Sequence, residues 1–179
     1  MRITAGKFKG RKLIDRPFEH LRPTADMVKQ AIFNKLAFVI CGARVLDLFC
    51  GTGALGIEAV SRGASRVVMS DLNPKSISLT KDNLKNLANP KECEVLQGDY
   101  KDVLKKLAGK QFDIIILDPP YKSGIYEDCV RRIFDFNLLA PEGIIVCEHN
   151  REDKFDFLPF SVESEKFYGI KAVTYLVNN

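Results

Sequence analysis

The sequence predicts an α/β fold built on a mostly parallel β-sheet. Four short apolar runs rich in Val and Ile alternate with segments of helical periodicity, and each run ends in or near an acidic residue. Continuous apolar strands that alternate with helices are typical of a parallel sheet covered on both faces. The last two strand-like segments adjoin at Gly169, which predicts a C-terminal antiparallel hairpin at the sheet edge. A basic N-terminal extension precedes the first strand.

The predicted elements follow one another without a linker or an internal repeat. Strands are expected at 44–49, 66–71, 93–99, 112–118 and 143–149, and the hairpin at 162–169 and 170–177. Helices are expected at 25–39, 54–62, 74–87, 101–108 and 124–136. Thr24 and Asn73 are suitable N-caps for the first and third of these helices. Gly63 suits the position that follows the second helix.

Composition excludes several classes of protein. The chain has 179 residues, of which 46% are hydrophobic and 28% charged, so it is neither disordered nor collagen-like. No apolar run approaches the roughly 18 residues of a membrane helix, and the N-terminus lacks the apolar core of a secretory signal. Five cysteines are scattered without CxxC pairs, and the two histidines, His20 and His149, are far apart. We therefore expect reduced cysteines, no zinc or other metal site, and a cytoplasmic protein.

The net charge of +4 is concentrated at one end of the chain. Residues 1–44 hold ten Lys or Arg and three acidic residues, a net charge of +7, whereas residues 45–179 have a net charge of −3. We therefore divide the chain into a basic arm with its leading helix (1–42), which packs on the core, and a main domain (43–179). Residues 1–23 alternate basic and apolar positions, which predicts a small hairpin or a mobile arm. The residues expected to contact an anionic partner are Arg2, Lys7, Lys9, Arg11, Lys12 and Arg22.

The first predicted strand leads into a glycine-rich turn. Gly51 and Gly53 allow a tight turn and the close approach of a ligand, at the edge where open parallel sheets bind their ligands. The spacing GTGALG is a weak signal for a dinucleotide, and by itself it would predict a NAD-dependent dehydrogenase. Asp47, which precedes the turn, would repel a phosphate but suits a cationic amino-acid group.

Acidic residues at the next strand ends favour a nucleoside ligand. Asp71 lies 20 residues after Gly51 and suits both ribose hydroxyls, and Asp99 could accept a hydrogen bond from an adenine amino group. A ligand with a nucleoside at one end and a cation at the other is S-adenosylmethionine. The candidate cofactor-binding residues are Asp47, Phe49, Gly51, Gly53, Asp71, Leu72, Gly98, Asp99 and Tyr100. The alternative is that the glycines only make a turn and the aspartates cap helices or form strand-end turns.

The fourth predicted strand delivers the tetrapeptide Asp118-Pro119-Pro120-Tyr121 to the same edge. Its two prolines make a rigid segment whose carbonyls are not used by the sheet. If Asp118 and the Pro119 carbonyl each accept a hydrogen bond from the exocyclic amine of a nucleobase, the lone pair of the amine nitrogen points at the sulfonium methyl. Tyr121 would stack on the extruded base. The alternative is a proline-rich turn. Glu148 and His149 follow the fifth strand at the ligand edge and could line the base pocket, but such residues are more often solvated strand-end groups, so we leave them out of the core site.

These motifs resemble those of class I, Rossmann-like, S-adenosylmethionine-dependent N-methyltransferases. The matching segments are DLFCGTG at 47–53, Asp71, Gly98-Asp99 and DPPY at 118–121. Three N-terminal segments narrow the resemblance to one family: RITAGKFKGRKL at 2–13, LRPTAD at 21–26 and AIFNKL at 31–36. They are similar to the bacterial family that modifies N2 of a guanine in 16S ribosomal RNA, the RsmD family. Tyr121 stands where Phe also occurs in that family, which leaves stacking intact.

The resemblance implies a seven-stranded sheet with an antiparallel seventh strand. It also implies catalytic roles for Asp118, Pro119, Pro120 and Tyr121. By the same resemblance, Arg22-Pro23-Thr24 lies close to the cofactor and the substrate, and Thr24 is a cofactor-binding residue. The implied partner is 16S ribosomal RNA within a small-subunit assembly particle, and a monomer is the default expectation. Two other functions stay open: a DNA adenine or cytosine N-methyltransferase, and a non-catalytic RNA-binding assembly factor that retains the fold.

Overall fold

A seven-stranded sheet organises the computed structural model, which describes residues 1–15, 23–120 and 124–179, without the side chains of 23–25. The strands are β1 (Arg44–Asp47), β2 (Arg66–Asp71), β3 (Cys93–Gln97), β4 (Phe112–Leu117), β5 (Leu139–Asn150), β6 (Ser161–Tyr168) and β7 (Lys171–Val177). Their order is β3-β2-β1-β4-β5-β7-β6; β1 to β5 pair in parallel, and β7 runs antiparallel to both neighbours. The predicted sheet with its C-terminal hairpin is confirmed.

Helices connect the parallel strands. Those in the described ranges are α1 (Pro23–Lys35), α2 (Ala54–Ser61), α3 (Pro74–Lys85), α4 (Tyr100–Lys106) and α5 (Ile125–Asp135), with a short 3-10 turn after α1 (Leu36–Phe38). Within these ranges, no helix is long and apolar enough to cross a membrane.

Local sequence explains most helix ends and corrects one prediction. Asn73 caps α3 as expected, since its side-chain oxygen accepts a hydrogen bond of 2.9 Å from the Lys75 N–H. Gly63, two residues after α2, has the positive φ of +100° that favours glycine. Thr24 is not an N-cap: α1 already includes Pro23, whose fixed φ suits the first turn of a helix.

Strand β5 begins at Leu139, four residues earlier than expected. Pro141 interrupts the apolar pattern there, so the sequence hides the first part of the strand. The pairing with β4 is irregular over this stretch: Phe112 lies opposite Leu139 and Ile114 opposite Ile144. A strand tolerates proline at such irregularities because no ladder hydrogen bond is required of its nitrogen.

Two apolar cores lie on opposite faces of the sheet. Side chains alternate along each strand, so Ile114 and Ile116 of β4 pack in the core that α1, α2 and α3 cover. Ile115 and Leu117 pack in the other core, beneath α4 and α5. Burial on both faces explains why these strands read as continuous apolar runs.

Glycine 56 sets the distance between α2 and the sheet. A Cβ at this position would lie only 2.5 Å from the Met69 side chain on β2. Cβ atoms in proteins essentially never make contacts that short, so a side chain at residue 56 would force Met69 or the helix to shift. This close packing fixes the start of α2, and therefore the glycine-rich turn, relative to the strand ends.

The N-terminal segment forms a hairpin-like loop that packs on the sheet. Arg2 and Lys12 pair as an antiparallel bridge, and the apolar side chains of Ile3 and Leu13 are buried in the first core. Gly6 touches α2 so closely that a Cβ would lie 1.7 Å from the Ser61 carbonyl oxygen. Of the two forms predicted for the N-terminal segment, residues 1–15 therefore take the hairpin.

A buried carboxylate anchors this loop. Glu58 of α2 is fully buried and accepts hydrogen bonds from the Thr4 N–H (2.9 Å), the Thr4 hydroxyl (2.6 Å) and the Ala5 N–H (3.1 Å). Arg62 donates a further bond of 2.8 Å, and the Lys29 ammonium lies 3.7 Å away. Burial opposes ionisation, but the bonds from Thr4 and Arg62 and the charge of Lys29 hold the pKa of Glu58 below its usual value.

Substitution of Glu58 by Ala is expected to lower the free energy of unfolding by about 3–5 kcal/mol. The change removes the buried one of the two carboxylates near the Lys29 ammonium and leaves only the partly exposed Asp26 beside it. It also removes the acceptor for two backbone N–H groups. Urea unfolding measures the loss. Glu94→Ala is the matched control, because Glu94 pairs with Arg66 on the surface and should cost less than about 1 kcal/mol. Equal losses in the two variants would contradict the anchoring role.

Candidate active site

The carboxyl ends of the parallel strands border a cleft of about 490 Å³. This volume lies within the usual range of small-molecule sites. Nine of the residues selected from the sequence line it: Phe49, Gly51, Asp71, Leu72, Gly98, Asp99, Tyr100, Asp118 and Pro120. The structure therefore brings the glycine-rich turn, three strand-end aspartates and part of the DPPY segment together.

The glycine-rich turn is held by side chains from two other elements. Gly51 and Gly53 both have positive φ, at +54° and +79°. The Gly51 N–H donates to the Asp71 carboxylate at 3.0 Å, and the Thr80 hydroxyl of α3 donates to the Gly51 carbonyl at 3.0 Å. A Cβ at Gly53 would lie 2.8 Å from the Thr80 methyl, so the turn packs directly on α3.

Asp47 lies behind this turn rather than at the cleft surface. It is 1% exposed, and its carboxylate accepts a 2.9 Å hydrogen bond from the Gly56 N–H. Burial is the main reason why the pKa of Asp47 rises to about 7; the Gly56 bond opposes this rise, and the negative charges of Asp118 and Asp71 add to it. A cationic group in the cleft would favour the ionised carboxylate.

Asp71 and Leu72 offer a polar and an apolar surface side by side. Besides the Gly51 N–H, the Asp71 carboxylate accepts a 2.8 Å bond from the Asn73 N–H, which fixes its orientation at the end of β2. Leu72 is 64% exposed although it is apolar, and it lines the cleft. A carboxylate next to an exposed apolar side chain matches the ribose and the base of a nucleoside.

The end of β3 combines a helix cap with the cleft wall. Asp99 caps α4 by accepting a 2.9 Å bond from the Lys101 N–H, and it lines the cleft as well. The Tyr100 hydroxyl donates to Asp128 of α5 at 2.8 Å, and its ring lies 5.7 Å from the Phe49 ring. Burial and Asp128 raise the pKa of Tyr100, so its hydroxyl stays protonated and keeps this bond.

The DPPY segment follows β4 directly. Asp118 and Pro120 line the cleft, and Pro119 lies between them. Asp47 pairs with Ile116 and Leu117 pairs with Cys147, so Asp47, Asp118 and Glu148 lie at the same edge of the sheet. The charge of Asp118 contributes to the raised pKa values of both Asp47 and Glu148. Tyr121 lies outside the described residues, as do Arg22, His20 and the Thr24 side chain.

Glu148 belongs to this edge, although the sequence analysis placed it outside the site. Leu117 pairs with Cys147 in the parallel register, so the next residues, Asp118 and Glu148, are neighbours on one face. Burial and Asp118 raise the pKa of Glu148 to about 8. His149 points to the opposite face and is also buried, with its Nε2 2.8 Å from the Thr174 hydroxyl. The expectation that both are solvated is therefore wrong, because β5 continues to Asn150 and covers them.

The end of the N-terminal loop reaches the glycine-rich turn. Asn83 of α3 donates to the carbonyls of Thr52 (2.9 Å) and Ile14 (3.1 Å), and its side-chain oxygen accepts from the Ile14 N–H at 2.7 Å. One side chain therefore joins the two segments. Among the described residues, no group of three His, Cys, Asp or Glu is arranged to hold a metal ion.

Most of the basic arm residues are exposed. Lys7 pairs with Glu92, and the Arg2 guanidinium donates to the Gly10 carbonyl at 3.1 Å. Lys9, Arg11 and Lys12 are exposed, and no acidic side chain in the described part of the chain pairs with them. Their charges therefore face solvent rather than an internal partner.

The strand order, the glycine-rich turn and the strand-end aspartates define a Rossmann-like methyltransferase. The family model described as conserved hypothetical protein 95 matches residues 1–177. The chain is 36% identical over 154 residues to ribosomal RNA small subunit methyltransferase D of Haemophilus influenzae, covering 85% of this chain and 80% of that protein. It is 34% identical over 173 residues to the Escherichia coli protein of the same name, covering 94% and 85%. The chain belongs to this family, which confirms the resemblance.

Solved structures agree with this assignment. The structure of yhhF from Escherichia coli superposes with a TM-score of 0.89 at 32% identity, covering 99% of this chain and 98% of that one. The structure of HI0767 from Haemophilus influenzae, described as a methylase, has a TM-score of 0.81 at 33% identity, covering 99% and 98%.

Asp47 is expected to make the stability of the ligand-free protein depend on pH. The pKa of Asp47 is about 7 in the folded chain, whereas the pKa of an aspartate in an unfolded chain is about 4. The folded state binds more protons between these values, so the stabilisation is complete below about pH 4 and is lost as the pH rises through about 7. Between pH 4 and pH 8, the wild type should lose up to about 4 kcal/mol more than Asp47→Asn.

Urea unfolding of both proteins at several pH values measures this difference. The Asn side chain keeps an acceptor for the Gly56 N–H and removes only the ionisable group. Titrating groups away from this edge are common to both proteins and cancel in the comparison. Asp71 and Asp118 lose a negative neighbour in the variant, and this change is part of the measured effect. Parallel pH profiles would contradict the raised pKa.

Proposed function

We propose that this protein transfers a methyl group from S-adenosylmethionine to the exocyclic N2 amine of a guanine in 16S ribosomal RNA. The observation that carries the proposal is the position of Asp118-Pro119-Pro120 in the same cleft as the glycine-rich turn and Asp71. The family relatives, named as methyltransferases of the small ribosomal subunit RNA, support the choice of RNA.

The cleft fits the cofactor chemically. S-adenosylmethionine supplies a methyl group on a positively charged sulfur. Asp71 would accept from the ribose hydroxyls, Leu72 would contact the adenine, and Asp99 would accept from its amino group. Phe49 and Tyr100 would pack nearby. Gly51, Gly53 and Gly98 allow the backbone to approach the ligand, and Asp47 stabilises its positive charge from behind the turn.

The amine substrate would be activated by positioning rather than by covalent catalysis. A guanine N2 amine is a poor nucleophile because its lone pair is delocalised into the ring. Asp118 and the Pro119 carbonyl would each accept a hydrogen bond from the amine, which would turn its lone pair towards the methyl group. Transfer would break the bond between the methyl carbon and sulfur and release a neutral thioether, and the methylated nitrogen would lose one proton, for which Asp118 is the adjacent acceptor. Pro120 keeps the segment rigid, and Tyr121 would stack on the base.

The basic arm would hold the RNA backbone. In this proposal the arm with its leading helix, 1–42, binds RNA, and 43–179 carries the methyl transfer. Arg2, Lys7, Lys9, Arg11, Lys12 and Arg22 are the proposed RNA contacts, and Thr24 lies on the cofactor side. The bonds from Asn83 to Ile14 and Thr52 support a short path from arm to cleft. We also propose a cytoplasmic monomer that acts on a small-subunit assembly particle, in keeping with five free cysteines.

The same amine chemistry would serve adenine or cytosine in DNA. The relatives favour RNA, and the nucleoside that becomes labelled decides between the two. Purified protein with tritiated cofactor should label 16S RNA, or 30S particles from cells that lack the activity, at guanine N2. Label found only in DNA would reject the proposal.

Asp118→Ala is expected to lower the methylation rate by about 10²–10³-fold, because the amine loses its acceptor in the transition state. Cofactor affinity, measured by calorimetry, should change less than about threefold, since the cofactor contacts come from other strands. Mass spectrometry of nucleosides from treated 30S particles measures the rate. The control is Asp113→Ala, which removes a carboxylate that pairs with Arg44 near the other end of β4. Cellular function that survives Asp118→Ala would favour a non-catalytic assembly factor.

Replacing Lys9, Arg11 and Lys12 together by Ala is expected to weaken RNA binding mainly at low salt. Each lost phosphate contact reduces the slope of log K against log salt by about 0.7, so the triple variant should lose about 2. Filter binding over a range of salt concentrations measures the slope. The matched control replaces Lys105, Lys106 and Lys110, which are exposed at the end of α4 and just before β4. The same reduction in both triple variants would show only a general charge effect.

A further inference from the structure

We propose that Glu148 and Lys171 recognise the Watson–Crick edge of the target guanine, next to the amine held by Asp118. The proposal deepens the proposed function and rests on it, because it names the residues that distinguish guanine from other bases bearing an amine. From the sequence, Glu148 was left out of the core site, although it could line the base pocket, and Lys171 was not selected.

The sheet places these three side chains in a row. The strands β4, β5 and β7 are adjacent, in that order. Asp118 follows β4 and is the register neighbour of Glu148, while Lys171 begins β7 opposite Asn150. Glu148 and Asn150 share a face of β5, so Lys171 lies on the same face, and its Nζ is 3.4 Å from Glu148 Oε1. The row leads away from the cofactor strands.

The order of hydrogen-bonding groups along this row matches guanine. The row presents an acceptor at Asp118 and a donor at Lys171. Between them, Glu148 is an acceptor in its ionised form, which the Lys171 ammonium 3.4 Å away favours against burial. The Watson–Crick edge of guanine presents two donors, the N2 amine and N1–H, followed by the acceptor O6. Each position therefore meets its complement when the N2 amine lies at Asp118, in the way that proteins read unstacked bases.

Other amine-bearing bases do not match the row. Cytosine presents its amine followed by two acceptors, so its N3 would face the Glu148 carboxylate. Adenine presents N1, an acceptor, next to its amine and would meet the same carboxylate. Buried polar groups that face the wrong partner discriminate strongly between substrates, because each mismatch leaves desolvated groups unpaired.

The burial of the pair also indicates a role beyond stability. The side chains of Glu148 and Lys171 are each only 15% exposed, so both charges are largely removed from water. Such pairs gain little net stability, because desolvation offsets their attraction. The contact is not needed to join the strands, since β5 and β7 already pair over six registered positions. The Tyr126 hydroxyl donates to the Glu148 carbonyl from the other face and holds this part of β5 in place.

A base analogue provides the test. In 2,6-diaminopurine the N2 amine is unchanged, but N1 is an acceptor and O6 is replaced by an amine. Once the labelled guanine has been located, 16S RNA is prepared by ligation with guanine or 2,6-diaminopurine at that position. The ratio of kcat/KM for the two RNAs is then measured. We expect the wild type to prefer guanine by at least about 100-fold.

Two variants should change this ratio. Glu148→Gln provides an amide that can donate to N1 of the analogue, and Lys171→Met removes the donor that suits only O6. Each should lower the preference for guanine by about 10- to 100-fold, whereas Lys171→Arg keeps a donor and should retain most of it. If Glu148→Gln does not fold, the comparison of Lys171→Met with Lys171→Arg decides the question. Glu163→Gln is the control, since it breaks the ion pair between Glu163 of β6 and Lys35 of α1.

The outcomes separate this proposal from the proposed function. If the wild type labels no guanine N2, both fail. If it labels guanine but Glu148→Gln and Lys171→Met keep the wild-type ratio, the proposed function stands and the recognition role is refuted. In that case the ion pair only joins β5 to β7. A lower ratio in these two variants, with the wild-type ratio in Glu163→Gln, supports recognition.

Discussion

The site depends on one constraint: several carboxyl groups are held close together, and partly buried, at one edge of the sheet. Parallel strands end at one edge of the sheet, and this chain places Asp47, Asp71, Asp118 and Glu148 there. Burial, with a smaller contribution from the negative charge of Asp118, raises the pKa values of Asp47 and Glu148 to about 7 and 8. The ligand-free edge therefore holds protons that a cation would displace. A positively charged cofactor and an electron-poor amine both suit such an edge.

The opposite charge is kept apart from this edge by the way the arm is anchored. Glu58 neutralises Lys29 and Arg62 inside the fold, and it fixes the backbone of Thr4. Internal basic groups therefore have internal partners, whereas Lys9, Arg11 and Lys12 face solvent. The net charges of +7 for residues 1–44 and −3 for residues 45–179 correspond in the structure to an exposed basic surface and to a cleft bordered by carboxyl groups.

The sequence predicts the parts of the site that local patterns encode. Continuous apolar runs indicate strands buried on both faces, and residues at their carboxyl ends, such as Asp71 at the end of β2 and Asp118 after β4, line the cleft. Glu148 was missed because its place depends on the register between β4 and β5, which no local pattern specifies. The helix start was predicted too late because Thr24 is a typical N-cap residue, whereas Pro23 before it already occupies the first turn of α1. Pro141 hid the start of β5 for a similar reason.

The side chain of Asn83 has a thermodynamic consequence. It forms hydrogen bonds with the Thr52 carbonyl in the glycine-rich turn and with both backbone groups of Ile14, near the end of the N-terminal loop. A ligand that shifts either segment acts on the bonds to the other, and such linkage is reciprocal. One amide is therefore the point through which occupancy of the cofactor cleft and the order of the arm enter the same free-energy cycle.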